Sequence, residues 1–186
     1  MAEPGARVTV PRLLSGSATT WLSLAAAVVA VPAVVGWALA TQPPGNRVAA
    51  LVLAVAFAGF VAWVALRRTW LDTRRGLVVQ QVLLVLRRST AWADAETVRF
   101  TPNRAGQVLL EVRGSGRPTY LPLVAVDVGG DRCQPPEVLG LLADQVETWA
   151  PSRTAVVRGL RAQAAHVEGG GDVRASPLAR AHLART

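Results

Sequence analysis

Two uncharged apolar stretches occupy the first third of the chain. No charged residue occurs between Leu13 and Asn46, and none between Val48 and Leu66. At about 1.5 Å rise per residue, helices over 19–40 and 48–66 would reach roughly 33 and 28 Å, close to the ~30 Å of a bilayer's hydrocarbon core. Backbone groups in lipid must be satisfied internally, which favours helices there. Trp21 and Trp37 flank the first stretch, and Trp63 and Trp70 sit near the end of the second, as interfacial indoles do. The reading is a two-helix transmembrane hairpin, turned by Pro43-Pro44-Gly45 in a short external loop at 41–47. Arg7 and Arg12 precede it, and Arg67, Arg68, Arg74 and Arg75 follow it. That bias places both termini in the cytoplasm of a multi-pass plasma-membrane protein. The rival reading is a signal peptide cleaved near Ala38-Leu39-Ala40, but the apolar stretch exceeds the usual 7–15 residues. Neither stretch holds an ionisable side chain, which favours an anchor over a transport pathway.

The rest of the chain has the mixed composition of a folded domain. Its net charge of +8 comes entirely from Arg, since the chain lacks Lys, and the basic residues are spread along the sequence. A nucleic-acid reader concentrates charge on one face, so no specific nucleic-acid partner is expected. Cys133 is the single cysteine, which excludes an intramolecular disulfide and a paired-cysteine zinc site. His166 and His182 lie in the polar tail without ligand-like spacing. No metal, cofactor or small-molecule substrate is expected.

Within 69–150 the pattern is short runs rich in Val, Leu and Thr, broken by turns. Trp70–Thr73, Arg74-Arg75-Gly76 and Leu77–Gln81 read as a hairpin. Leu84–Ala91 follows, then Thr97–Thr101, alternating with Val98 and Phe100 on one face. Val108, Leu110 and Val112 alternate with Leu109, Glu111 and Arg113. Thr119–Leu123 closes the series, and Pro122 argues for an edge strand there. Glu137–Trp149 reads as an amphipathic helix with Val138, Leu141, Leu142, Gln145 and Trp149 along its stripe. Strands followed by one closing helix make an α+β domain. The basic tail, 151–186, is expected to be helical to about His166 and disordered beyond. Residues 1–18 are expected to be a cytoplasmic N-terminal segment.

The Trp92-Ala93-Asp94 turn, Val98-Arg99-Phe100, a hairpin, the Leu121-Pro122-Leu123 strand and the closing helix resemble the bacterial PH-like domains found in small two-helix membrane proteins. In particular they resemble the group named after low-molecular-weight protein antigen 6, over roughly residues 48–150. The resemblance implies a strongly bent sheet, or partly open barrel, capped by a C-terminal helix. That group has no catalytic signature, and its molecular role is largely undefined.

Three functions suit such a chain to different degrees. The first is a noncatalytic scaffold or adaptor, tethered at the cytoplasmic face, that binds a protein partner by strand addition; Tyr120, Leu121 and Leu123 are its edge candidates. The alternative is a sensor of anionic membrane lipids through Arg67, Arg68, Arg74, Arg75, Arg87 and Arg88, at about 1 kcal/mol per basic residue near the surface. The third, an enzyme, is disfavoured. Asp94 and Glu96 read as solvated acids, and Gly129-Gly130-Asp131 lacks the Lys-Ser/Thr of a phosphate loop.

Overall fold

Apolar and polar side chains that alternate along the chain form strands because only one face of each meets the core. Here they build two antiparallel four-stranded sheets. The computed structural model describes residues 7–11, 13, 18–41, 43–66, 68–82, 86–126 and 130–183. The first sheet runs in order β1 (Arg7–Thr9), β2 (Arg68–Asp72), β3 (Leu77–Val82) and β4 (Leu86–Ala91). The second runs β5 (Thr97–Pro102), β6 (Gln107–Arg113), β7 (Thr119–Ala125) and β8 (Arg132–Cys133). Helices α1 (Ala18–Thr41) and α2 (Pro44–Leu66) fall between β1 and β2, and α3 (Pro136–Trp149), α4 (Thr154–Glu168) and α5 (Pro177–His182) follow β8. The class is α+β.

The transmembrane hairpin requires correction. Side chains of α1 are described from Ala27 to Thr41, and those of α2 from Gly45 to Val61. Among the described residues no helix is long and apolar enough to cross a membrane. The multi-pass plasma-membrane placement with cytoplasmic termini rested on those spans and falls with them, as does the membrane tether. What α1 and α2 do form is a pair of helices in mutual contact, with Val29, Trp37, Val52 and Leu53 exposed. The loop between them is shorter than 41–47. Helix α2 starts at Pro44, where a fixed φ suits a first helical turn and a missing N–H costs nothing. Asn46 and Arg47 donate their backbone N–H groups to Pro43 O.

The hairpin is inserted between neighbouring strands, so the folded unit is not confined to 69–150. Arg7 pairs with Asp72 and Thr9 with Trp70, and Val10 N donates to Thr69 O at 3.0 Å. Val10 and Leu13 are buried. Two glutamines hold this segment from the second sheet's side. Gln134, fully buried, donates through Nε2 to Pro11 O at 2.7 Å and Pro122 O at 2.8 Å; Gln107 Nε2 donates to Leu13 O at 3.2 Å. Residues 7–11 and 13 are therefore structural.

One core joins the sheets and the three C-terminal helices. Leu71 and Val78 enter from the first sheet, and Val108, Leu110, Val112, Leu121 and Leu123 from the second. Helix α3 contributes Leu139, Leu142 and Val146, α4 contributes Val156, Val157 and Leu160, and α5 contributes Leu178. Each fully buried side chain of this size stabilises by about 1.5–3 kcal/mol relative to exposure. The buried face of α3 runs through Leu139, Leu142, Ala143, Gln145 and Val146; of the expected stripe, Leu142 and Gln145 lie on it, while Val138, Leu141 and Trp149 are half-buried at its margin. Past residue 168, where disorder was expected, the tail reverses at Gly169-Gly170 and forms α5, which packs on the core.

Pro122 is not on an outer strand. Strand β7 lies between β6 and β8, and the proline stands opposite Leu109 at a register shift beside Val108/Leu109. A bulge tolerates the missing N–H that a regular ladder would not. The β2–β3 turn needs its glycine: Gly76 has φ +59, and a Cβ there would lie 2.6 Å from the Trp149 ring.

Candidate binding cleft

Strand β5 is an outer strand of its sheet. Among the described residues it pairs with β6 and with no second strand. Helices α4 and α5 pass beside it and leave an open cleft of about 740 Å³. Phe100 of β5, Val156 of α4 and Leu178 of α5 provide apolar surface. Gly159 lets α4 approach closely, since a Cβ at that position would meet Phe100 Cε2 at 2.7 Å. His182 also faces the cleft, its ring centroid 5.5 Å from that of Phe100.

Three arginines edge the cleft: Arg99, Arg153 and Arg158. Arg99 is held from behind by Glu111, its cross-strand partner on β6. Its Nε donates to Glu111 Oε2 at 2.8 Å, Thr101 Oγ1 donates to the same oxygen at 3.1 Å, and Arg113 approaches Oε1 at 3.2 Å. The Glu111 side chain is 1% exposed. Burial alone would raise its pKa, but hydrogen bonds from Arg99 and Thr101, with the charges of Arg99 and Arg113, outweigh that and hold it below the ordinary 4.5. Arg153 donates to Glu96 O from the first turn of α4. Arg158 is exposed and makes no ion pair among the described residues.

The arginines expected to read lipid headgroups are not gathered at one place. Arg68 and Arg87 share a row across β2, β3 and β4, both opposite Gln81, and the Arg87 guanidinium lies 5.3 Å from the Trp70 ring centroid. Arg88 stands in the next row, opposite Gln80. Arg74 and Arg75 are exposed in the β2–β3 turn, at the other end of the strands. From Gln81 to Leu77, beside that turn, is about 13 Å along the strand. Arg67 lies outside the described residues. Of the partner-edge candidates, Leu121 and Leu123 are fully buried and cannot meet a partner; Tyr120 is half-buried opposite Glu111.

Among the outer strands, β5 is the one that borders this cleft, and sequence reading missed it because the opposite wall comes from the tail. A signal was present: Val156, Val157, Leu160 and Ala164 recur at helical spacing within 154–168. His182 likewise belongs to a packed helix, not a loose polar tail.

Cys133 sits on β8, half-buried, accepting a hydrogen bond from Gln163 Nε2 at 3.2 Å. Burial raises its pKa above the ordinary 9.0, which suppresses the thiolate. Labelling by a maleimide at pH 7 should be slow in the folded protein, and at least tenfold faster in denaturant. Equal rates would show that α4 does not cover the thiol. Among the described residues no group of three His, Cys, Asp or Glu side chains could hold a metal ion. No family model, curated protein or solved structure matches the chain.

Proposed function

We propose that this chain is a noncatalytic protein-binding module on a PH-like scaffold, taking an extended segment of a partner along β5. The observation that carries this reading is the outer strand β5 facing a cleft of about 740 Å³ between itself, α4 and α5. A strand with one unpaired edge offers backbone donors and acceptors to an added strand, and pockets beside it select side chains. Phe100, Val156 and Leu178 favour an apolar residue in the segment, and Arg99, Arg153 and Arg158 favour flanking acids. The PH-like assignment is supported by element order: a four-stranded antiparallel sheet, a second antiparallel sheet, then α3.

The test is selection of peptides from a random 12-residue library on the full chain, followed by titration of selected peptides. Ala162 lines the cleft but is exposed, so Ala162→Trp should fill the cleft without disturbing the core. Binding is expected at micromolar Kd, weakened at least tenfold by Ala162→Trp. The exposed Ala165→Trp, on the same helix but away from the cleft, should leave it unchanged. Failure to select any peptide, or peptides indifferent to Ala162→Trp, would overturn the reading.

A further inference from the structure

A second concavity, of about 450 Å³, lies where the end of β4 meets the β6–β7 turn, away from the β5 cleft. It is lined by Arg88 and Arg117, by Ser89, Thr90 and Ser115, and by Asp94. The two arginines come from different sheets. What brings them together is a contact between Thr90 Oγ1 and Thr119 Oγ1 at 3.3 Å, and a glycine at the start of the turn. A Cβ on Gly114 would sit 3.3 Å from Asp94 O, so a larger residue would crowd the loop that follows β4. Gly116 faces open space and leaves its backbone bare.

Neither Arg88 nor Arg117 makes an ion pair or hydrogen bond among the described residues. Two unpaired guanidiniums lining one pocket repel each other, and an oxyanion between them removes that cost. Guanidinium presents planar, forked donors that match phosphate oxygens in pairs, and hydroxyls beside it donate to the remaining ones. Asp94 makes no ion pair either and would repel an oxyanion without a hydroxyl to offer it. The geometry points to a binding site for a hydroxyl-bearing phosphate monoester, its phosphate on Arg88 and Arg117 and its hydroxyl donating to Asp94. This departs from the expectation of no small-molecule ligand, and it is independent of the peptide reading at β5.

Calorimetric titration of the full chain with glycerol 3-phosphate and with inorganic phosphate, at low ionic strength, tests it. Glycerol 3-phosphate should bind, and Arg88→Ala/Arg117→Ala should weaken it at least tenfold with an unchanged melting temperature. Arg104→Ala/Arg180→Ala removes the same charge from exposed positions outside the pocket and should change affinity less than twofold. Asp94→Asn should tighten inorganic phosphate by removing the repulsion. Vesicles separate the sources of the phosphate: capture by lysophosphatidic acid, a phosphate monoester that keeps a free hydroxyl, over phosphatidylcholine, lost in Arg88→Ala/Arg117→Ala, assigns it to a lipid headgroup. Binding of glycerol 3-phosphate without that preference assigns it to a free monoester. Absence of binding to every probe, equal weakening by the control pair, or weaker phosphate binding in Asp94→Asn would overturn the site.

Discussion

Leu160→Ala is expected to destabilise the protein by about 2–5 kcal/mol, the range for removing a large aliphatic side chain from a packed core. Leu160 is fully buried on α4, in a segment whose composition reads as a solvated basic tail. The surrounding structure has little freedom to collapse into the void. On one side α4 packs along α3; on the other, Gln163 Oε1 accepts from Leu178 N at 3.1 Å and ties α5 down. Gln163 also reaches Cys133 on β8, so three elements converge within one turn of Leu160. Urea unfolding of the full chain should show a lower midpoint with an unchanged slope. The exposed Arg158→Ala, two residues away, should change stability by less than about 0.5 kcal/mol. If both substitutions are silent, 151–183 is not part of the cooperative unit, and the cleft loses one wall.

Glu111→Gln should cost about 1–3 kcal/mol at pH 7, because it keeps the shape but removes the charge that two donors and the Arg113 guanidinium surround. The cost stays at the lower end for a buried charge cluster because Arg99 and Arg113 are 61% and 47% exposed and recover hydration when the carboxylate is gone. The pH dependence follows from the direction of the shift. The folded carboxyl titrates below its ordinary 4.5, so its contribution is fully present above that pH and declines as the pH falls through the folded value. Wild type and Glu111→Gln should therefore differ most at pH 5–7, and the gap should narrow as the pH falls below 4.5 through the folded value. Denaturation at each pH measures the gap; a gap that does not narrow in acid would mean that the charge is not what stabilises.

Glu111 and Leu160 differ in how far local pattern reveals their place in the fold. Glu111 was legible only as the polar member of an alternating strand, since its burial requires knowing that β6 lies between β5 and β7, with Arg99 directly across. Leu160 belonged to a helical stripe that is visible in the sequence, but the basic residues around it suggested solvent.

Periodicity and turn chemistry, which depend on near neighbours, determined much by themselves. Alternation marked β5 and β6, Arg74-Arg75-Gly76 marked the β2–β3 turn, and the spacing of Val138, Leu141, Leu142, Gln145 and Trp149 marked α3, though not the whole of its buried face. Helical hydrogen bonds and hairpin turns close within a few residues, so their signals are local. Tertiary structure decided what local signals cannot carry. Arg7 pairs with Asp72 across the whole helical insertion, and Pro122 is accommodated by a bulge instead of an edge. The headgroup arginines separate to two ends of a sheet, while Arg88 and Arg117, 29 positions apart, line one pocket. A pairing between distant segments leaves no period in the sequence, because its free energy comes from the core and the ladder that form only when both segments are in place.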